Sequence, residues 1–162
     1  RANAIIREYL SLSREKLINL KKCSLNHIIE SLFPLIQANA NSSKVYAKLD
    51  LADIPELFLD ENEIRQLLLN LVRNGLEAMH PGGIVTIKTT YHKNIVALAI
   101  TDQGTGIPKD ILESIGKPFV TTKATGTGLG LATCYQIANR HNATINIETS
   151  RQGTTFTINF PV

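Results

Sequence analysis

At 162 residues, 43% hydrophobic and 19% charged, the chain has the length and composition of one globular domain with a sizeable core and room for an appendage. Its formal net charge of +3 comes from dispersed basic residues with only small clusters such as Lys21 and Lys22, which excludes a nucleic-acid-binding stripe. No apolar run is long enough to span a bilayer and no charged-then-apolar signal opens the chain, so the expected setting is cytoplasmic, with any membrane anchor of the parent protein lying in other segments.

Residues 1–16 lack Gly and Pro and put Ile5, Tyr9 and Leu12 on one helical stripe, with Ile6 and Leu10 beside it. The stripe is too broad for a free terminus, so a helix packed on a partner helix is expected over one folded back on its own domain. Residues 17–24 read as a connector or a short strand. Ser24 is placed to cap a second helix running toward Ala40, which Pro34 either kinks or breaks. Residues 44–51 and 56–59 alternate as strands, separated by a turn around Asp53 to Pro55.

Asp60 with Glu63 three residues on predicts a capping box, the aspartate accepting first-turn amides while the glutamate reaches back. The helix it opens, 61–79, closes at Pro81-Gly82-Gly83. Along it Ile64, Leu67, Leu68, Leu71, Leu76 and Met79 form an apolar surface, and Asn70, Asn74 and Glu77 share a polar face. Asparagine is a poor helix-interior residue because its amide competes for backbone bonds, so two of them one turn apart call for a reason. Solvent exposure or a core amide pairing is one; a neutral oxygen ligand for Mg²⁺ is the other. Arg73, beside Asn74, is either a phosphate contact or a solvated surface residue.

Two strands, 84–91 and 95–101, follow as a hairpin turning at His92, Lys93 and Asn94. The second is almost continuously apolar, which predicts a central strand covered on both faces. It runs into Asp102, a carboxylate before a glycine turn that can accept a hydrogen bond from an exocyclic amine or simply stabilise the bend. Ile107-Pro108 begins a short helix, and Gly116-Lys117-Pro118 then breaks the chain into an irregular stretch whose Phe119, followed by Thr121, Thr122 and Lys123, reads as the latch of a lid. The GTGLG run from Gly126 to Gly130 leads into a helix with Leu131, Cys134, Tyr135 and Ala138 inward, so its amides arrive at a helix N-terminus suited to phosphate. The chain closes with a second hairpin, 143–150 and 154–160, turning at Arg151-Gln152-Gly153, with Phe156, Ile158 and Phe160 packed on the helices. Cys23 and Cys134 have no partner motif and read as buried thiols.

From about residue 23 to the end the chain resembles the ATP-binding catalytic domain of two-component sensor histidine kinases, in the wider superfamily shared with gyrase, Hsp90 and MutL. NLVRNGLEA from Asn70 to Ala78 is similar to the N box of that family, DQGTGIP from Asp102 to the first glycine box, KPFVTT from Lys117 to the F box, and GTGLGLA from Gly126 to the second glycine box. The resemblance implies an α+β fold, a two-layer sandwich of the Bergerat type with a mixed sheet covered by helices on one face. It divides the chain into 1–16 as the end of a dimerisation and phosphoacceptor hairpin, 17–23 as linker and 24–162 as the catalytic domain, in the branch with nitrogen-regulator and sporulation kinases. It implies ATP and Mg²⁺ as cofactors, a response regulator downstream, and a homodimer in the parent protein.

Residue by residue, the resemblance implies Asp102 on the adenine amine, Asn74 on Mg²⁺, and Asn70 lining the same site. Gly104 and Gly106 shape the adenine floor, Ile107 is a further nucleotide-binding residue, and Thr154 lies near the base with water. Phe119, Thr121 and Thr122 belong to the lid. Gly126, Gly128 and Gly130 pass amides to the phosphates, Thr127, Leu129 and Leu131 are nucleotide-binding residues of the same run, and Lys123 and Arg73 are candidate phosphate contacts. Relatives usually have Ala where this chain has Gly75, a mid-helix glycine costing about 1 kcal/mol in propensity that would permit a neighbouring element to approach closely.

The implied reaction is phosphoryl transfer from Mg-ATP to a histidine on the hairpin, catalysed by positioning and charge neutralisation through Asn70, Asn74 and Lys123. None of His27, His80, His92 or His141 has the setting of the acceptor, and all four read as structural or surface residues. A gyrase-like ATPase would want an acid at the Asn70 position, with Glu77 only a weak substitute. An ATP-hydrolysing clamp, an anti-sigma serine kinase and a nucleotide-binding regulatory module remain the alternatives.

Overall fold

The computed structural model describes residues 17–115 and 130–162. The helix expected over 1–16 and the lid with the glycines before Gly130 lie outside the described residues. In chain order the elements are β1 (Lys21–Cys23), α1 (Leu25–Ser42), β2 (Tyr46–Leu51), β3 (Leu57–Leu59), α2 (Glu61–Ala78), β4 (Ile84–His92), β5 (Ile95–Thr101), α3 (Lys109–Ser114), α4 (Gly130–Arg140), β6 (Thr144–Ser150) and β7 (Gly153–Pro161). Five strands form an open sheet in the order β2-β4-β5-β7-β6, parallel between β2 and β4 and antiparallel elsewhere.

Register explains why one face of that sheet is the core. Ile87 pairs with Ile100, Ile100 with Phe156 and Phe156 with Ile147, so their side chains share a face by the two-residue alternation of strands. On that face α1 packs on β2, α2 on β4 and β5, and α4 on β6, while α2 also lies between α1 and α4. The helical contribution is as apolar as the stripe predicts, with Ile64, Leu67, Leu68 and Leu71 buried on α2. The opposite face is lined by residues such as Lys88, Thr90, Thr157 and Asn146, which suits a sheet with one face toward water. The two-layer α+β arrangement with a mixed sheet is thus as expected.

Two local expectations change. The central strand β5 is not covered on both faces: Val96, Leu98 and Ile100 are buried, but Ile95, Ala97, Ala99 and Thr101 are only half-buried. Small alanines tolerate an open face and read as core from sequence alone. Residues 46–51 and 57–59 are strands of different sheets, since β2 joins β4 while β3 pairs with β1 as a separate two-stranded ribbon. The strand reading of 17–24 therefore holds for Lys21–Cys23. Pro34 does not break α1, which runs unbroken past it; Pro34 and Glu30 are both exposed, so the carbonyl that loses its helical partner can be hydrated.

The second change concerns the capping box. Asp60 does cap α2, its Oδ1 accepting the Glu63 amide at 3.2 Å. Glu63 does not reach back. Its carboxylate instead meets Arg140 at the end of α4 in a bidentate pair of 2.8 and 2.7 Å. The Asp60 amide is taken by Nε2 of His141 at 3.0 Å, and the His141 Nδ1 lies 2.8 Å from the Ile137 carbonyl. That second contact needs the proton on Nδ1, leaving Nε2 as acceptor. His141 is accordingly buried and structural, while His27, His80 and His92 are exposed.

Candidate functional site

Asp102 is the first residue beyond β5 and is buried to 6% exposure. Its backbone prolongs the sheet, because its amide donates to the Thr154 carbonyl at 2.9 Å. Its Oδ1 accepts two backbone amides, from Gly104 at 2.8 Å and from Thr154 at 3.2 Å. Both readings offered for this residue thus have a physical basis: it makes the Asx-turn that bends the glycine loop, and it is a carboxylate held in one orientation by fixed donors.

The glycine loop is tight for reasons of space and dihedral angle. Gly106 has φ of +87°, a left-handed conformation costly for side chains, and a Cβ there would run into the Ser150 carbonyl. The Ile107 amide donates to Thr149 Oγ1 at 2.9 Å, and Thr149 Oγ1 lies 2.8 Å from Thr154 Oγ1. Gln103 Oε1 accepts the Ile84 amide at 3.0 Å and so fastens the loop to the start of β4. Between them these bonds tie Asp102, the loop and the last hairpin into one wall.

The opposing wall is α2. Asn70 and Asn74 are half-buried on it, with Arg73 and Glu77 exposed. Gly75 brings this helix against Asp102, since a Cβ at Gly75 would stand 3.2 Å from the Asp102 Cβ and 3.6 Å from Val85 Cγ2. The close approach expected of that glycine is therefore found, and the element that approaches is Asp102 itself. The first residue of α4, Gly130, faces the Asn70 side chain, with 4.0 Å between a Cβ there and Asn70 Cγ. Behind Asn70 sits Cys134, whose thiol is pushed up to about 12 by burial against the opposing pull of the Asn70 side chain and the Arg73 charge. It is a buried thiol, as expected, and Leu131 is partly buried against the core.

The structure thus sets α2 against Asp102 at Gly75 and against the start of α4 where Gly130 faces Asn70, with Gly104, Gly106, Ile107 and Thr154 around Asp102 and its loop, Asn74 half-buried and Arg73 exposed on α2, and Leu131 against the core. Phe119, Thr121, Thr122, Lys123, Gly126, Thr127, Gly128 and Leu129 fall outside the described residues. Sequence reasoning did not find Thr149. Its signal was available, because a turn at Arg151-Gln152 sets Ser150 opposite Gly153 and hence Thr149 opposite Thr154.

Among known proteins, residues 59–162 match the family described as histidine kinase-, DNA gyrase B-, and HSP90-like ATPase. The whole chain is similar to sporulation kinase C of Bacillus subtilis (strain 168), 33% identical and spanning 39% of that protein. It is similar also to sporulation kinase E of the same organism, 36% identical over 22% of its length, and to the sensor histidine kinase ZraS of Escherichia coli (strain K12), 34% identical over 35%. The chain therefore spans well under half the length of these relatives. Among solved structures, a nucleotide-free catalytic domain of histidine kinase ThkA superposes with a TM-score of 0.81 at 28% identity, over 89% of this chain and 96% of that one. The structure of ThkA in complex with the response regulator protein TrrA superposes with a TM-score of 0.84 at 26% identity, over 99% of this chain and 47% of that one.

Proposed function

This chain belongs to the histidine kinase-, DNA gyrase B-, and HSP90-like ATPases, and on that premise we propose that it is the ATP-binding catalytic domain of a sensor histidine kinase, phosphorylating a histidine on its parent protein's dimerisation hairpin. The observation that carries the reading is the buried Asp102 carboxylate, fixed by the amides of Gly104 and Thr154 and facing the asparagine-bearing helix across Gly75.

The residues present suit a purine nucleotide with a divalent cation. A carboxylate is an acceptor only, so Asp102 takes a hydrogen from an exocyclic amine and rejects a carbonyl at the same place. Gly104 and Gly106 let the loop beside Asp102 pack closely, since a Cβ at either would run into Ala78 or the Ser150 carbonyl. Among the described residues no group of three or more His, Cys, Asp or Glu is placed to hold a metal. A cation here takes its oxygens from phosphate, water and a neutral amide, and Asn74 is the residue we assign to it, with Asn70 beside it. When bound, Mg-ATP supplies the γ-phosphoryl group and the metal charge that offsets its negative charge.

The chain's own contribution is positioning and electrostatics. The N-terminus of α4 offers a partial positive charge to an anion, and Arg73 and Lys123 add full charges. Asn70 stands where a hydrolytic member of the superfamily would be expected to carry an acid, so water is not activated while the acceptor histidine is undocked. We assign residues 1–16 to the end of the hairpin helix, 17–23 to the linker and the rest to the catalytic domain. A response regulator is the downstream partner, as the ThkA complex suggests, and the parent acts as a homodimer with this domain in the cytoplasm.

The test is phosphotransfer. The 162-residue chain with Mg²⁺ and γ-labelled ATP is mixed with the hairpin of its parent protein, and label should appear on that hairpin in acid-labile, base-stable form. Tight ATP binding without transfer would leave a nucleotide-binding module in place of a kinase.

A further inference from the structure

Thr149 is half-buried on β6 and makes two bonds at the edge of the candidate base site. Its Oγ1 accepts the Ile107 amide at 2.9 Å, and it shares a hydrogen with Thr154 Oγ1 at 2.8 Å. A hydroxyl has one hydrogen and two lone pairs, so the direction of the second bond decides what Thr154 can do. With the Ile107 N–H pointing at it, the Thr149 oxygen is polarised as a better donor, and its own hydrogen turns away from that amide toward Thr154. Thr154 Oγ1 then receives a hydrogen and keeps its own for another acceptor. The Thr154 amide meanwhile donates to Asp102 Oδ1 at 3.2 Å, which places the two side chains next to each other.

We propose that Thr149 is a positioning residue for base selection, turning the Thr154 hydroxyl into a donor beside the Asp102 acceptor. An acceptor next to a donor complements the amine and ring nitrogen of a 6-amino purine, directly or through one water. A 6-oxo purine offers the reverse pattern, a carbonyl and an N1–H, and leaves both protein groups mismatched in a buried setting. The inference rests on the nucleotide-binding reading above and adds to it the origin of the preference for adenine over hypoxanthine or guanine.

The measurement is calorimetric affinity of the 162-residue chain for ATP and for inosine triphosphate at fixed Mg²⁺, in wild type, Thr149→Val and Thr149→Ser. Wild type should prefer ATP. Thr149→Val should weaken ATP about tenfold, the scale of one hydrogen bond, and change the inosine nucleotide by less than about twofold. Thr149→Ser, which keeps the hydroxyl, should restore the preference; Thr149→Ala gives the same ratio as Val should the larger side chain disturb β6. Equal weakening of both nucleotides by Val and Ala, or an unchanged ratio, overturns the role of Thr149 while leaving ATP binding intact. A wild-type chain that binds no ATP instead refutes the proposed function, and the role of Thr149 falls with it.

Discussion

Gly75 of α2 stands against Asp102 so closely that a β-carbon added to it would lie 3.2 Å from the Asp102 Cβ. A helix residue and the residue at the end of the central strand are thereby packed backbone to side chain, and the spacing between the two walls of the candidate site depends on an absent methyl group.

Gly75→Ala tests that spacing with two opposed terms. Replacing a mid-helix glycine gains about 1 kcal/mol of helix propensity. Against this, Asp102 is held by the Gly104 and Thr154 amides and must give by a few tenths of an ångström. We expect thermal stability close to wild type and ATP affinity reduced several-fold, because the shift falls on the carboxylate. Gly75→Val, which also meets Val85, should lose about 2 kcal/mol through overpacking. Denaturation and nucleotide titration of the two variants separate the terms.

Asp102→Asn should separate binding from folding. The amide oxygen of asparagine can still accept the Gly104 and Thr154 amides, so the bend survives and the melting temperature changes little. What is lost is the charged acceptor for an exocyclic amine, about 1.5–3 kcal/mol, or tenfold to a hundredfold in ATP affinity. Unchanged affinity would contradict the contact with the base.

Arg140→Ala should be among the most destabilising surface-adjacent changes in the chain. It leaves the Glu63 carboxylate, 3% exposed, without its bidentate partner. Breaking a buried pair from one side costs about 3–5 kcal/mol. The double variant Glu63→Gln with Arg140→Gln should recover part of that loss, and urea unfolding of the single and double variants measures how much.

The Asp60 cap should make stability depend on pH in a defined direction. Burial acts to raise the carboxyl, but the amides of Asn19, Glu63 and Asn62 together hold it below its ordinary value. A depressed folded-state value means the stabilisation is complete above the unfolded value and is lost as pH falls through the folded one. Asp60→Ala should therefore cost about 1 kcal/mol at neutral pH. Its difference from wild type should narrow below pH about 4. A gap that stayed constant from pH 7 to pH 3 would show that the charge of the cap is immaterial.

Much of the architecture is encoded at short range, and that part was legible in the sequence. Ser24 and Asp60 cap their helices because a short polar side chain beside an apolar period needs nothing distant to act on. The turn at Lys93 and Asn94, both with positive φ, sets the pairing of β4 with β5 for the same reason. The polar row of Asn70 and Asn74 and the place of Asp102 at the end of a strand follow from the helical and strand periods alone. What tertiary structure decided are the partnerships between groups far apart along the chain. Glu63 had a local partner in the Asp60 amide and a distant one in Arg140, 77 residues on, and charge-assisted bidentate pairing prevailed where α2 and α4 met. The vacated amide went to His141, β3 went to β1 and away from β2, and Gly75 was set against Asp102. Each depends on which surfaces meet once helices cover one face of the sheet, and a period of two or of 3.6 carries no information about that.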